Sequence, residues 1–150
     1  MILATIGYEK ASQGELIDEL TAAGIRRLID VRELPNSRRA GFSKNVLAAS
    51  LEAAGIDYVH LKGLGTPKEG RLANRGRQWQ RFWAIVERQL ETPEAQHDLA
   101  RAAALAKEKP SCLLCLEADH SLCHRSAVAD RLKPHGFEVR HLDASNAEAC

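Results

Sequence analysis

Three times along the chain a helical pattern of apolar residues runs into a glycine and is followed at once by strand-forming residues. The three stretches are ELIDELTAAGIRRLIDV, VLAASLEAAGIDYVHL and AVADRLKPHGFEVRHL. A helix commonly ends on a left-handed residue, and glycine adopts that conformation without a Cβ clash, so Gly24, Gly55 and Gly136 read as helix stops. Helix-to-strand units in series constrain the fold strongly, because strands joined through crossover helices run parallel. The pattern predicts strands at 2–7, 27–32, 58–61, 111–117 and 138–142. The expectation is an α/β fold with a mainly parallel five-stranded sheet flanked by helices, a Rossmann-like three-layer arrangement. A chain of 150 residues with 45% hydrophobic content suits one core, so 1–150 is read as a single domain.

Helix starts are also signalled. Ser12 with Glu15 three residues later forms a capping box, and Ser43 reads as an N-cap with Phe42 before it as a staple. Residues 77–109 read as two helices broken at Thr92-Pro93, with Trp79, Phe82, Trp83, Val86 and Leu90 on one core-facing stripe. ELPNSRRAGFS and KGLGTPKEGRLANRGR, each following a predicted strand, read as polar loops rich in Pro, Gly, Asn and Arg. Ligands of open parallel sheets bind at the carboxyl ends of the strands, where the loops after Arg32, Leu61 and Glu117 would meet.

The formal net charge is only +1, which gives no overall polyanion signature. Between Arg26 and Arg81, however, twelve Lys or Arg stand against five Asp or Glu, a net +7. A phosphate-bearing small molecule or a nucleic acid is the expected partner of such a segment, with a solvated basic surface as the plainer alternative. The opening MILATIGYEK is too short an apolar run for a leader or a membrane span. A cytoplasmic protein without a membrane partner, its four cysteines reduced, is expected.

Candidate site residues fall in the polar loops. Arg32, Arg38 and Arg39 in DVRELPNSRR offer bidentate donors for an anion, with Asp30 on the same strand face as Arg32. Tyr8 in TIGYEK and His60 in YVHLKGLG are candidate ligand contacts, each with a core role as the alternative. In CLLCLEADHSLCHRSAVADRL, a separation of three sends Cys112 and Cys115 to opposite faces of a strand, which disfavours a zinc knuckle. A zinc site of Cys115, Cys123 and His120 or His124 stays open. LIDVRE is similar to a rhodanese strand, but Arg125 lies ten residues from Cys115 and two from Cys123, which fits neither a phosphatase nor a rhodanese loop. A helix beginning near Ser121 or Leu122 would place Cys123, His124 and Arg125 in its first turn, where backbone N–H groups favour anions and lower a thiol pKa. Cys123 is then the expected reactive thiol, Cys115 its partner and Glu117 an acid or base, while Cys112 is structural and Cys150 incidental.

Four stretches together, TIGY, DVRELPNSRRAGFSK, YVHLKGLG and LLCLEADHSLCHRSAVADRL, resemble the motifs of the domain-of-unknown-function 488 family, from about Thr5 to the last predicted strand. The resemblance maps onto Thr5, Ile6 and Gly7; onto Asp30, Val31, Arg32, Pro35, Ser37, Arg38 and Phe42; onto Tyr58, His60, Leu61, Leu64 and Gly65; and onto Cys115, Glu117, Cys123, His124 and Arg125. It implies a small bacterial or archaeal α/β protein and assigns no reaction and no cofactor. Where the family often has histidine after Thr-Ile-Gly this chain has Tyr8, so no general base is assigned there. The expected function is an enzyme acting on a phosphorylated or nucleic-acid substrate. A non-catalytic nucleic-acid binder is the alternative, and a thiol-redox or metal-binding protein the second.

Overall fold

The computed structural model describes residues 1–117, 119 and 123–144. In chain order the elements are β1 (Ile2–Gly7), α1 (Gln13–Ala22), β2 (Arg27–Asp30), α2 (Lys44–Ala53), β3 (Asp57–His60), α3 (Lys68–Arg75), α4 (Trp79–Leu90), α5 (Pro93–Glu108), β4 (Ser111–Cys115), α6 (Arg125–Leu132) and β5 (Glu138–His141). The five strands form one sheet in the order β3-β2-β4-β1-β5, with every described pairing parallel. Helices cover both faces, giving a three-layer α/β fold.

The glycine stops behave as the sequence predicts. Gly24 has φ 74° and Gly55 φ 79°. The amide of Gly24 donates to Thr21 O and that of Ile25 to Leu20 O, and Gly55 and Ile56 repeat the arrangement with Glu52 and Leu51. Ile25 and Ile56, next after each glycine, are buried, so the turn that ends each helix also drops the chain into the core.

The sheet's two faces carry two apolar cores. Leu16, Leu20, Leu47 and Leu51 from α1 and α2 pack with Ala4, Ile6, Leu28, Cys112 and Leu114. Phe82, Val86, Leu99, Val128 and Leu132 from α4, α5 and α6 pack with Leu3, Ile29, Leu113 and Cys115. Cys112 and Cys115 therefore stand on opposite faces, as the two-residue strand period requires. The Ser12–Glu15 capping box forms, and Thr92 caps α5 with Pro93 in its first turn. Among the described residues no helix is long and apolar enough to cross a membrane.

Four expectations are corrected. The stretch read as a polar loop after β3 contains α3, whose flanking glycines and prolines and internal Gly70 and Asn74 mask a run of otherwise good helix formers. A Cβ on Gly70 would lie 2.4 Å from Thr66 Cγ2 and 3.1 Å from Ile85 Cγ2, so glycine is what allows α3 to seat on α4. Trp79 heads α4 but is 37% exposed and lies off the buried stripe of Phe82, Val86 and Leu90. Ser43 occupies the N-cap of α2 without capping it, because its hydroxyl accepts from the Ser37 amide and donates to the Ser37 carbonyl. Finally, α6 starts at Arg125 with His124 at its N-cap, so Cys123 precedes the helix instead of lying in its first turn. The predicted start at Ser121 or Leu122 falls outside the described residues.

Candidate active site at the carboxyl edge of the sheet

Adjacent strands β2, β4 and β1 end side by side, with Asp30 opposite Leu114 and Cys115 opposite Gly7. Their exits bring Tyr8, Arg32 and Glu117 to one place, where a cavity of about 520 Å³ opens. Cys115, Glu117 and His124 line it together with Thr66 and with Arg71, Asn74 and Arg75 of α3.

Sulfur, nitrogen and oxygen donors cluster here. Cys115 Sγ lies 3.5 Å and Cys123 Sγ 3.8 Å from His124 Nδ1, and Cys115 Sγ is 3.6 Å from Glu117 Oε2. His124 Nε2 is 2.8 Å from the Val31 carbonyl. A carbonyl only accepts, so Nε2 carries a proton and Nδ1 turns toward the two sulfurs. All three of these residues are buried, Cys123 completely.

Burial would raise the Cys123 thiol, but the Cys115 hydrogen bond and the His124 and Arg125 charges outweigh it and hold Cys123 well below the ordinary thiol range. Cys115 is pushed up by burial and by its sulfur neighbour. For His124, burial opposes the imidazolium, yet the Cys123 charge prevails and raises it. Burial, followed by the Cys123 charge, pushes Glu117 up to about 8.

The family model described as "Domain of unknown function DUF488" matches residues 12–132. The chain belongs to this family. The matched segment of this DUF488 chain includes the whole donor cluster and α3, and begins after the Thr5–Gly7 stretch. Neither the curated proteins nor the solved structures give a match.

The remaining candidates divide between cavity and frame. Arg32 lines the cavity but is held by the protein itself. Its Nε and Nη2 engage both oxygens of the fully buried Asp30, at 2.7–3.1 Å, and its Nη1 donates to Tyr8 Oη (3.2 Å) and to the Phe42 carbonyl (2.8 Å). Asp30 Oδ1 also accepts the Arg32 amide at 3.0 Å, which turns the chain out of the sheet and ends β2 two residues before the predicted limit. Tyr58 Oη donates to the same carboxylate. Tyr8 stacks on Phe42 with centroids 4.4 Å apart, so its ring is core while its hydroxyl serves Arg32.

Arg38 and Arg39 are exposed and do not line the cavity among the described residues. The Arg39 guanidinium lies over Phe42, 5.9 Å from the ring centroid, and donates to Ala11 O. His60 is 2.6 Å from the Arg32 carbonyl and stands outside the lining. Arg125 is fully buried, its Nε donating to Thr5 Oγ1 at 3.3 Å and its Nη1 to the Glu117 carbonyl, so it braces the exit of β4 against β1. His120 and Cys150 fall outside the described residues.

The sequence reading missed the α3 wall. Arg71 pairs with Glu33 at 2.7 Å and donates to Thr66 O at 2.9 Å, while Arg75 is exposed at the rim. The Thr66 hydroxyl is buried without a hydrogen-bond partner and borders the cavity. The signal available was the spacing of Arg71, Asn74 and Arg75 at i, i+3 and i+4, one face of a helix.

Proposed function

We propose that this DUF488 protein is an enzyme acting in this cavity on a phosphate-bearing substrate, either a small molecule or a nucleic acid. One observation carries the reading: thiol, imidazole and carboxyl groups line the same cavity as Arg71 and Arg75. That combination supplies proton transfer, a reacting centre and charge attraction. Arg75 at the rim receives the anion. Arg71, tied to Glu33, and Arg32, tied to Asp30, orient the walls and add positive potential. Arg38, exposed on the loop before α2, extends that potential toward outlying phosphates of a polymer. Glu117 is the proton carrier nearest the substrate, and Cys115 with His124 marks the reacting centre. The free thiols at Cys112, Cys115 and Cys123 suit a reducing compartment such as the cytoplasm.

The test is a screen of purified protein against phosphomonoesters, phosphodiesters, nucleotides and oligonucleotides. Turnover is expected on at least one class, falling by about two orders of magnitude in Glu117→Gln and Cys115→Ser. Equal turnover by folded variants would remove the assignment. Salt-sensitive binding of nucleic acid with no turnover would instead favour the non-catalytic binder.

A further inference from the structure

We propose that Cys115, Cys123 and His124 form a site for a zinc-class divalent cation, with the fourth coordination position open to the cavity beside Glu117. Their donor atoms all lie within 4.8 Å of one another. A tetrahedral ion about 2.3 Å from sulfur and about 2.1 Å from nitrogen sets sulfur–nitrogen edges of about 3.6 Å. The two sulfur–nitrogen edges here are 3.5 Å and 3.8 Å, close to that value.

Orientation supports the same reading. His124 presents Nδ1 to the sulfurs because Nε2 is fixed on the Val31 carbonyl at 2.8 Å, the second-shell bond that metal-ligating histidines use to set tautomer and ring plane. An ion seated between Nδ1 and the two sulfurs, its described neighbours, would displace the protons those groups share. Two sulfurs and one imidazole form a soft-to-borderline set that selects zinc over magnesium or calcium.

The placement makes the site an open one. Cys123 is completely buried and absent from the described cavity lining, whereas Cys115 and His124 border the cavity. The ligand-free corner of the tetrahedron therefore faces the substrate space, with Glu117 Oε2 3.6 Å from Cys115 Sγ. Three protein ligands and one open position are the pattern of catalytic rather than structural zinc. Cys112 is excluded, since it lies in the core of the opposite sheet face. The site itself rests on donor geometry. Its use as a Lewis acid that polarises a phosphoryl oxygen rests on the catalytic reading above.

The experiment titrates reduced, metal-stripped wild-type protein with Co²⁺ and then Zn²⁺. One equivalent should bind, giving sulfur-to-cobalt charge-transfer bands and the intense visible absorption of tetrahedral cobalt, both abolished by Zn²⁺. Cys115→Ser, Cys123→Ser and His124→Gln should each weaken uptake at least about tenfold, and Cys112→Ala should keep the one-to-one stoichiometry. If a ligand variant fails to fold, the wild-type spectrum still decides, because its charge-transfer intensity reports thiolate ligation. Absence of uptake by reduced wild-type protein, or undiminished uptake by the folded Cys115→Ser, Cys123→Ser double variant, overturns the site. Turnover without uptake removes the cation and leaves the enzyme. Uptake without turnover on any phosphate substrate supports the cation site and removes the enzyme.

Discussion

Replacing Asp30 by asparagine leaves the Arg32 guanidinium buried without its counter-charge. Asp30 is fully buried and receives the Arg32 side chain, the Arg32 amide and the Tyr58 hydroxyl. Arg32, 5% exposed, would keep only the neutral Tyr8 hydroxyl and Phe42 carbonyl, and the new amide N–H groups would face its own donors. Breaking a buried pair from one side costs about 3–5 kcal/mol, against about 0–1 for an exposed pair. With a urea slope of about 2 kcal/mol per molar, the unfolding midpoint should fall by about 2 M. The double variant Asp30→Asn, Arg32→Met should recover much of the loss, because the stranded cation is gone. A loss below about 1 kcal/mol in the single variant, or a double variant less stable than the single, would refute the claim that this pair is held in a poorly solvated interior.

Two further outcomes test the walls and the faces. Gly65→Ala places a Cβ 2.2 Å from the Glu33 amide nitrogen and 2.4 Å from Glu33 Cα. Backbone cannot yield as a side chain does, so a loss of about 3 kcal/mol or more is expected by urea denaturation, and wild-type stability would show that the two loops separate freely. Cys112 is fully buried and its thiol is pushed up by burial, so alkylation of native, reduced protein mapped by mass spectrometry should leave Cys112 unmodified until the chain is unfolded. Labelling of Cys112 as fast as Cys115 would contradict its place in the core.

The parts of this fold that were legible in the sequence are those encoded locally. A glycine at a helix end and a parity of three between two cysteines need only neighbours to have their effect, so Gly24, Gly55 and the Cys112–Cys115 split could be read directly. α3 was masked although Arg71, Asn74 and Arg75 share one helical face, because Gly70 weakens the helix locally and favours it only through close packing on Ile85. The opposite fates of the arginines are a similar case. Arg125 looks like an anion ligand at a helix start, yet it is turned inward by Thr5, 120 residues away in sequence. Arg32 shares a strand face with Asp30, as the period requires, but its enclosure depends on Tyr8 and Phe42 from other parts of the chain. The donor cluster was legible as a set of residue types. Its geometry was not, since the ring of His124 is set by the Val31 carbonyl just beyond β2.

Every side chain of that cluster comes from the ten residues between Cys115 and His124, and the rest of the fold lends the Val31 carbonyl, the Arg125 charge and the cavity walls. Bringing the ends of so short a segment together has a low entropic cost, even in an unfolded chain. The denatured ensemble can therefore hold a thiophilic ion through the same side chains, less well oriented. A ligand that binds both states stabilises the native one only by the difference between its two affinities. An ion held tightly here would consequently raise the melting temperature by less than its native-state affinity implies, and would already be captured by the nascent chain before the sheet closes around it.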